Sequence, residues 1–218
     1  MAAFPLLVLD LDGTLVDSLP DLTEALNRLM AARGLPAFRP AEIKPMIGDG
    51  TKKLIERAFA ARGRSPDSAD HDLFVADYTG RVAAETRPYP QVDKTLAALQ
   101  TMGWRFAICT NKSTAATEAL LKALALRHWF AALGCGDSFA VHKPDPAHLL
   151  GTINAAGGAP DRAVMVGDHA NDVAAARAAD VPAIFAAWGY GNATAPQGAA
   201  VVAQDFAELA VIAPRLVC

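Results

Sequence analysis

The feature that most constrains this chain is Leu6-Leu7-Val8-Leu9 running straight into Asp10-Leu11-Asp12-Gly13-Thr14. Four apolar residues without polar alternation suit a strand buried on both faces of a parallel sheet; a strand with one wet face would alternate. Two aspartates follow at spacing i, i+2, which in extended backbone sends both carboxylates to one side. Gly13 permits a sharp turn just beyond them. Like charges this close do not both ionise freely, so one takes a proton or a cation intervenes. A strand end with one ionised and one protonated carboxyl group supplies a nucleophile and a general acid from neighbouring positions.

The remaining pattern says what surrounds that strand. Leu15 to Pro20 reads as a crossing out of the first unit, with Asp17 or Ser18 capping a helix and Pro20 near its first turn. Leu22, Ala25, Leu26, Leu29 and Met30 recur at helical spacing until Gly34. Further helices are expected from about Pro40 to Met46, then on Leu54, Ile55, Ala58 and Phe59. A fourth runs from about Ser68 to Ala84, with Leu73, Phe74, Tyr78 and Val82 inward. Residues 17–86 are thus expected to be wholly helical, and Thr86-Arg87-Pro88-Tyr89-Pro90 is a stiff return crossing. Beyond it strands alternate with helices. Strands are expected at 104–109, 131–135, 163–166, 182–186 and 201–202, and helices at 92–102, 113–126, 146–156, 172–179 and 206–216. Such alternation implies a doubly wound parallel sheet. The fold expected is α/β, with a core of residues 1–16 and 87–218 and an inserted all-helical domain over 17–86.

A net charge of −3 argues against a nucleic-acid binder held by a basic surface. Three widely spaced cysteines (Cys109, Cys135, Cys218) and no CxxC pair favour reduced thiols in a cytoplasmic protein. The opening apolar run has no basic flank and is cut by Asp10, a poor export signal, and no stretch approaches the ~18 apolar residues of a membrane span. A monomer or homodimer without nucleic-acid or membrane partners is expected.

In doubly wound sheets, ligands sit at the carboxyl ends of the strands. Asp10 and Asp12 fall there, as do Thr110-Asn111-Lys112 after the second core strand and Asp168 and Asp172 after Ala163 to Val166. Lys143 lies in His142-Lys143-Pro144-Asp145-Pro146, just before a helix. Three carboxylates (Asp10, Asp168, Asp172) converging in one cleft need a cation, and a hard, oxygen-seeking ion such as Mg²⁺ is the natural one. Lys143 and the Thr110 hydroxyl suit the remaining oxygens of a phosphate, and the helix starting near Ser113 adds backbone N–H groups. No His or Cys cluster has zinc-site spacing.

Taken in order, DLDGTLVDS, TNK, HKPDP and GDHAND resemble the four motifs of the haloacid dehalogenase superfamily of phosphohydrolases. The inserted helices resemble its small helical cap, over a Rossmann-like core. The loop Ile47-Gly48-Asp49-Gly50, the RPYP hinge and the Trp188-Gly189-Tyr190-Gly191 loop are similar to those of phosphoglycolate phosphatases. Gln91 departs from them, since glycine is usual after that hinge. The resemblance implies that Asp10 attacks phosphorus to give an aspartyl-phosphate, and that Asp12 protonates the leaving alcohol and then activates water. It further implies that Thr110 and Lys143 hold the phosphoryl group. Mg²⁺ would be held by Asp10, the backbone carbonyl of Asp12 and Asp168, with Asp172 close by. This agrees with the direct reading, because phosphoryl transfer depends mainly on alignment and charge neutralisation.

Asn111, Lys112, Gly48, Asp49 and Gly50 are candidates for contact with the substrate, a small phosphorylated metabolite. His169 reads as an outer or solvent-facing residue, and Tyr190 as packing. The leading function is an Mg²⁺-dependent phosphomonoesterase, 2-phosphoglycolate first among substrates. Pyrophosphate, sugar phosphates and nucleotides are alternatives within the same chemistry. The rival of another class is a phosphoacceptor signalling domain, which also joins acidic residues, Mg²⁺, a Thr and a Lys on such a sheet. It lacks an Asp two residues past the acceptor and a helical insert.

Overall fold

A computed structural model describes residues 4–192 and 195–217. Its strands are β1 Leu6–Leu9, β2 Val16–Asp17, β3 Arg87–Pro88, β4 Arg105–Cys109, β5 Phe130–Gly134, β6 Ala163–Gly167, β7 Ala183–Ala186 and β8 Val201–Ala203. The helices are α1 Leu19–Ala32, α2 Pro40–Ile43, α3 Thr51–Ala61, α4 Ser68–Gly80, α5 Val92–Thr101, α6 Thr114–Ala123, α7 Pro146–Ala155, α8 Ala170–Ala178 and α9 Leu209–Ile212. Six strands form one sheet in the order β5-β4-β1-β6-β7-β8, and every pairing in it is parallel. The chain moves out from β1 to β4 and β5, then returns to β6 on the other side, so β1 sits at the switch point.

The unbroken apolar run of β1 has a direct explanation. Leu7 and Leu9 enter one buried cluster with Leu96, Leu120 and Leu209, while Leu6 and Val8 enter another with Leu149, Ile153 and Val173. Helices therefore cover both faces of the sheet, and no β1 side chain keeps exposed surface. The first of these clusters continues through Leu26, Ile43, Leu54, Phe59 and Phe74 of the inserted helices.

Several local expectations need correction. Residues 17–86 are not helical throughout: Asp17 lies in β2, which pairs antiparallel with β3, so the two crossings form a short ribbon. The helix after Ser68 stops at Gly80, and Leu73 is half exposed while Phe74, Tyr78 and Val82 are buried. The final helix is broken into α9 and single 3₁₀ turns at 206–208 and 213–215. Pro214, which has no N–H, cannot extend an α-turn there. Cys109 and Cys135 are buried free thiols, and Cys218 lies outside the described residues. Among the described residues, no helix is long and apolar enough to cross a membrane.

Candidate active site

Asp10, Thr110 and Asp168 each follow the last residue of β1, β4 and β6. These are the three adjacent central strands, so the residues stand side by side at the carboxyl edge of the sheet. The Asp10 N–H donates to the Val166 carbonyl (2.9 Å) and that of Thr110 to Gly134 (2.8 Å), which fixes both backbones. Asp172 comes from the first turn of α8. Lys143, from the loop before α7, places its ammonium 2.9 Å from Asp10 Oδ1 and 2.6 Å from Asp172 Oδ1. Asp168 accepts from the Thr14 hydroxyl (2.9 Å) and the Tyr190 N–H (2.6 Å). Gly13 is required here, because it holds φ +86° and a methyl group would stand 2.4 Å from Asp168 Oδ2.

Burial sets the electrostatics. It pushes the Asp10 pKa up, Asp172 adds to this, and Lys143 opposes it. Burial by itself would discharge Lys143, but Asp10 and Asp172 outweigh it and raise its pKa above the ordinary lysine value. Lys112 behaves alike: burial disfavours its charge, yet Asp12 keeps it protonated. His148 goes the other way, driven down to about 4 by burial and by the Lys143 charge. Its Nδ1 accepts the Lys143 backbone N–H (3.1 Å), which helps to seat that lysine.

Asp12 points to the same edge but into a different set of partners. Lys112 Nζ donates to both its oxygens (3.0 and 2.9 Å), and the Ser18 hydroxyl donates to Oδ1 (2.6 Å). The Ser18 side chain thus serves Asp12 and does not cap α1. Asp10, Asp12, Thr110, Asn111 and Lys112 line a cavity of about 40 Å³ whose other wall is Ile47, Gly48, Gly50 and Leu54 of the helical insert. That space admits only a few waters.

Asn111 is fully engaged in joining the two halves. It donates to the carbonyls of Gly48 and Lys143 (3.0 Å each) and accepts from the Lys143 N–H (3.0 Å). Asp49 does not line the cavity: its carboxylate binds Arg57 of α3 and accepts from Asn171 Nδ2 of α8 (2.5 Å). The expected contribution of the α6 N-terminus is reduced, because the Thr114 N–H and hydroxyl both donate to Asp137 (2.8 and 2.6 Å). Tyr190 does more than pack. Its hydroxyl accepts from the Ser18 and Leu19 N–H groups (2.7 and 2.9 Å) and donates to Asp17 (2.7 Å), tying the start of α1 to the loop that holds Asp168. His169 is turned inward beside Asp168, and although burial opposes its charge, that carboxylate lifts its pKa to about 9. Thr14, Ser18, Asn171 and Arg57 were not singled out as site residues in the sequence, since each takes its role from the partner the fold brings it: Asp168 for Thr14, Asp12 for Ser18, and Asp49 for Asn171 and Arg57.

Residues 4–180 match the family model of the haloacid dehalogenase-like hydrolases. A phosphoglycolate phosphatase of Mesorhizobium japonicum is 45% identical over 85% of this chain and 84% of its own length. One from Agrobacterium fabrum is 43% identical over 94% of this chain and 90% of its own. The crystal structure of a predicted phosphoglycolate phosphatase from Haemophilus somnus superposes with a TM-score of 0.89, at 31% identity, over 97% of this chain and 99% of that one. With four charged motifs gathered beneath a helical insert and likeness along nearly its whole length, the chain belongs to the haloacid dehalogenase-like hydrolases and is a phosphoric monoester hydrolase resembling the phosphoglycolate phosphatases.

Proposed function

We propose that this chain hydrolyses a small phosphomonoester, 2-phosphoglycolate first, through phosphorylation of Asp10. The observation that carries this is the shared edge of β1, β4 and β6. Asp10 and Thr110 line one small cavity there, and the buried Lys143 ammonium lies 2.9 Å from the buried Asp10 carboxylate. Asp10 is the nucleophile. Lys143 offsets charge on the transferring phosphoryl group, and Thr110 orients it. Asp12, a separate carboxylate two residues on, protonates the leaving alkoxide and then takes a proton from the attacking water. Its bonds from Lys112 and Ser18 fix its direction.

A divalent cation fits this site on its donor chemistry. Oxygens of Asp10, Asp168 and Asp172 converge in a buried place, their ligand atoms within 4.8 Å of one another, with Lys143 as the neighbouring fixed cation. Asp10, the Asp12 carbonyl, Asp168 and Asp172 would hold Mg²⁺. When bound, it supplies charge neutralisation for the phosphoryl oxygens. Gly48, Gly50, Asn111 and Lys112 would border the leaving group, and Asp49 would hold the cap loop in place. We assign residues 17–86 as the cap that closes over the leaving group.

A hydrolysis panel with Mg²⁺ tests this. 2-Phosphoglycolate should give the highest kcat/KM among phosphoglycolate, pyrophosphate, sugar phosphates and nucleotides. A better nucleotide or pyrophosphate substrate would overturn the substrate assignment. One stoichiometric phosphorylation without turnover would overturn the enzyme reading.

A further inference from the structure

Tyr78 lies in α4 of the helical insert and Lys112 just past β4 of the core, so a contact between them spans the two parts of the chain. The Lys112 ammonium sits 4.5 Å from the centre of the Tyr78 ring. The same ammonium donates to both oxygens of Asp12. The lysine side chain is 5% exposed and Tyr78 is buried, so little water reaches this contact. Phe74, one turn earlier on α4, stacks on the tyrosine with ring centres 5.8 Å apart and planes 9° apart, which fixes the ring's orientation. The Tyr78 hydroxyl is buried with no hydrogen-bond partner among the described residues. A buried hydroxyl in that state is a cost, so what this position contributes is the face of the ring.

We infer that Tyr78 is a positioning residue for the second half of the reaction: closing the cap lays its ring on the Lys112 ammonium, and the lysine held there keeps Asp12 aimed as the base that frees phosphorylated Asp10. This rests on the roles given above to Asp10 and Asp12. The ring face attracts a cation most strongly where water is excluded, so the closed cap limits where the ammonium can go and turns its N–H groups to Asp12. Lys112 and Ser18 both donate to Asp12, which sets that carboxylate to take a proton. In the second half Asp12 takes a proton from water, the water oxygen bonds to phosphorus, and the bond from phosphorus to the Asp10 oxygen breaks. Asp10 regains its carboxylate and inorganic phosphate leaves. In the first half the proton destined for the leaving alkoxide occupies an oxygen to which Lys112 donates here, so the contact favours the second half.

The test follows the phosphorylated full-length chain. Wild type and Tyr78→Leu are labelled with ³²P-phosphoglycolate and Mg²⁺, chased with unlabelled substrate and quenched at short intervals. Tyr78→Leu should lose its label roughly tenfold more slowly, the scale of a water-excluded contact between a cation and a ring. Its kcat and KM should fall together while kcat/KM changes little, because the slowed step follows departure of the alcohol. Tyr78→Phe, which keeps the ring and discards the hydroxyl, should restore the wild-type decay. Wild-type decay in Tyr78→Leu, a raised KM with kcat unchanged, or equal slowing in both variants would overturn the inference and leave Tyr78 as packing between cap and core. Absence of labelled protein in both the wild type and Asp12→Ala would instead overturn the assignment of Asp10. If Tyr78→Leu fails to fold, nuclear magnetic resonance of the phosphorylated wild type decides: the ring should shift the Lys112 ε-methylene protons upfield, and unshifted signals would overturn the contact.

Discussion

Replacing Lys143 by Met leaves two buried carboxylates facing each other without their cation. The ammonium is 2% exposed and touches Asp10 and Asp172 at 2.9 and 2.6 Å, so its loss belongs with broken buried pairs, which cost about 3–5 kcal/mol. Protonation sets a ceiling. Once Lys143 no longer holds the Asp10 pKa down, the native state takes up a proton. At pH 7 that costs about 4 kcal/mol for a carboxyl group with an ordinary pKa near 3.9. The native variant then binds one more proton than its unfolded chain between about pH 4 and 7, so its stability relative to wild type improves as pH falls. Urea denaturation in EDTA should show a deficit of about 3–4 kcal/mol at pH 7, shrinking by about 1.4 kcal/mol per pH unit toward pH 5. A deficit below about 1 kcal/mol, or one flat with pH, would refute the claim that this lysine neutralises the carboxylate pair.

Three further outcomes follow from other contacts. Because His148 is held near pKa 4 when folded, its unfolded form binds protons first; stability should fall as pH drops from about 6.5 to 4, by at most on the order of 3 kcal/mol. His148→Asn, which keeps an acceptor for the Lys143 N–H, should flatten that slope in urea midpoints; an unchanged slope assigns it elsewhere. Gln91 occupies the left-handed region at φ 70°, so Gln91→Gly should gain about 0.5–1 kcal/mol and raise Tm by about 2–3 °C, and a lower Tm would show that the side chain compensates. Asn171→Ala removes the bond from α8 to Asp49 and should loosen the closed cap. KM should rise roughly fivefold, with faster amide exchange in residues 47–50; unchanged exchange there would free Asn171 of this role.

Much of the core was legible because few physical solutions exist for its patterns. A four-residue apolar run ending in Asp-x-Asp has to be a central strand delivering carboxylates to a sheet edge, and the topology places the other strand ends beside it. Thr110 and Asp168 were found this way, through the rule for doubly wound sheets. Tyr190, Ser18 and Asn171 were not, because their roles exist only as partnerships. Tyr190 meets Asp17 across 173 positions and Asn171 meets Asp49 across 122, distances over which periodicity says nothing. Ser18 looked like a helix cap because serine before a helix commonly is one; the competing Asp12 carboxylate took its hydroxyl. The β2–β3 ribbon is two residues per strand, too short for alternation to register. Gln91 shows the reverse case, in which the departure from glycine was visible and its left-handed backbone supplies the reason.

The central claim is that Asp10 takes the phosphoryl group and Asp12 manages the protons. The most direct measurement is intact and peptide mass spectrometry of Asp12→Ala after brief exposure to 2-phosphoglycolate and a divalent cation. One phosphoryl group should be found on the peptide carrying Asp10, with turnover severely slowed, while Asp10→Asn stays folded, unlabelled and inactive. Labelling on another residue, or phosphate release from Asp10→Asn at the wild-type rate, would contradict the account.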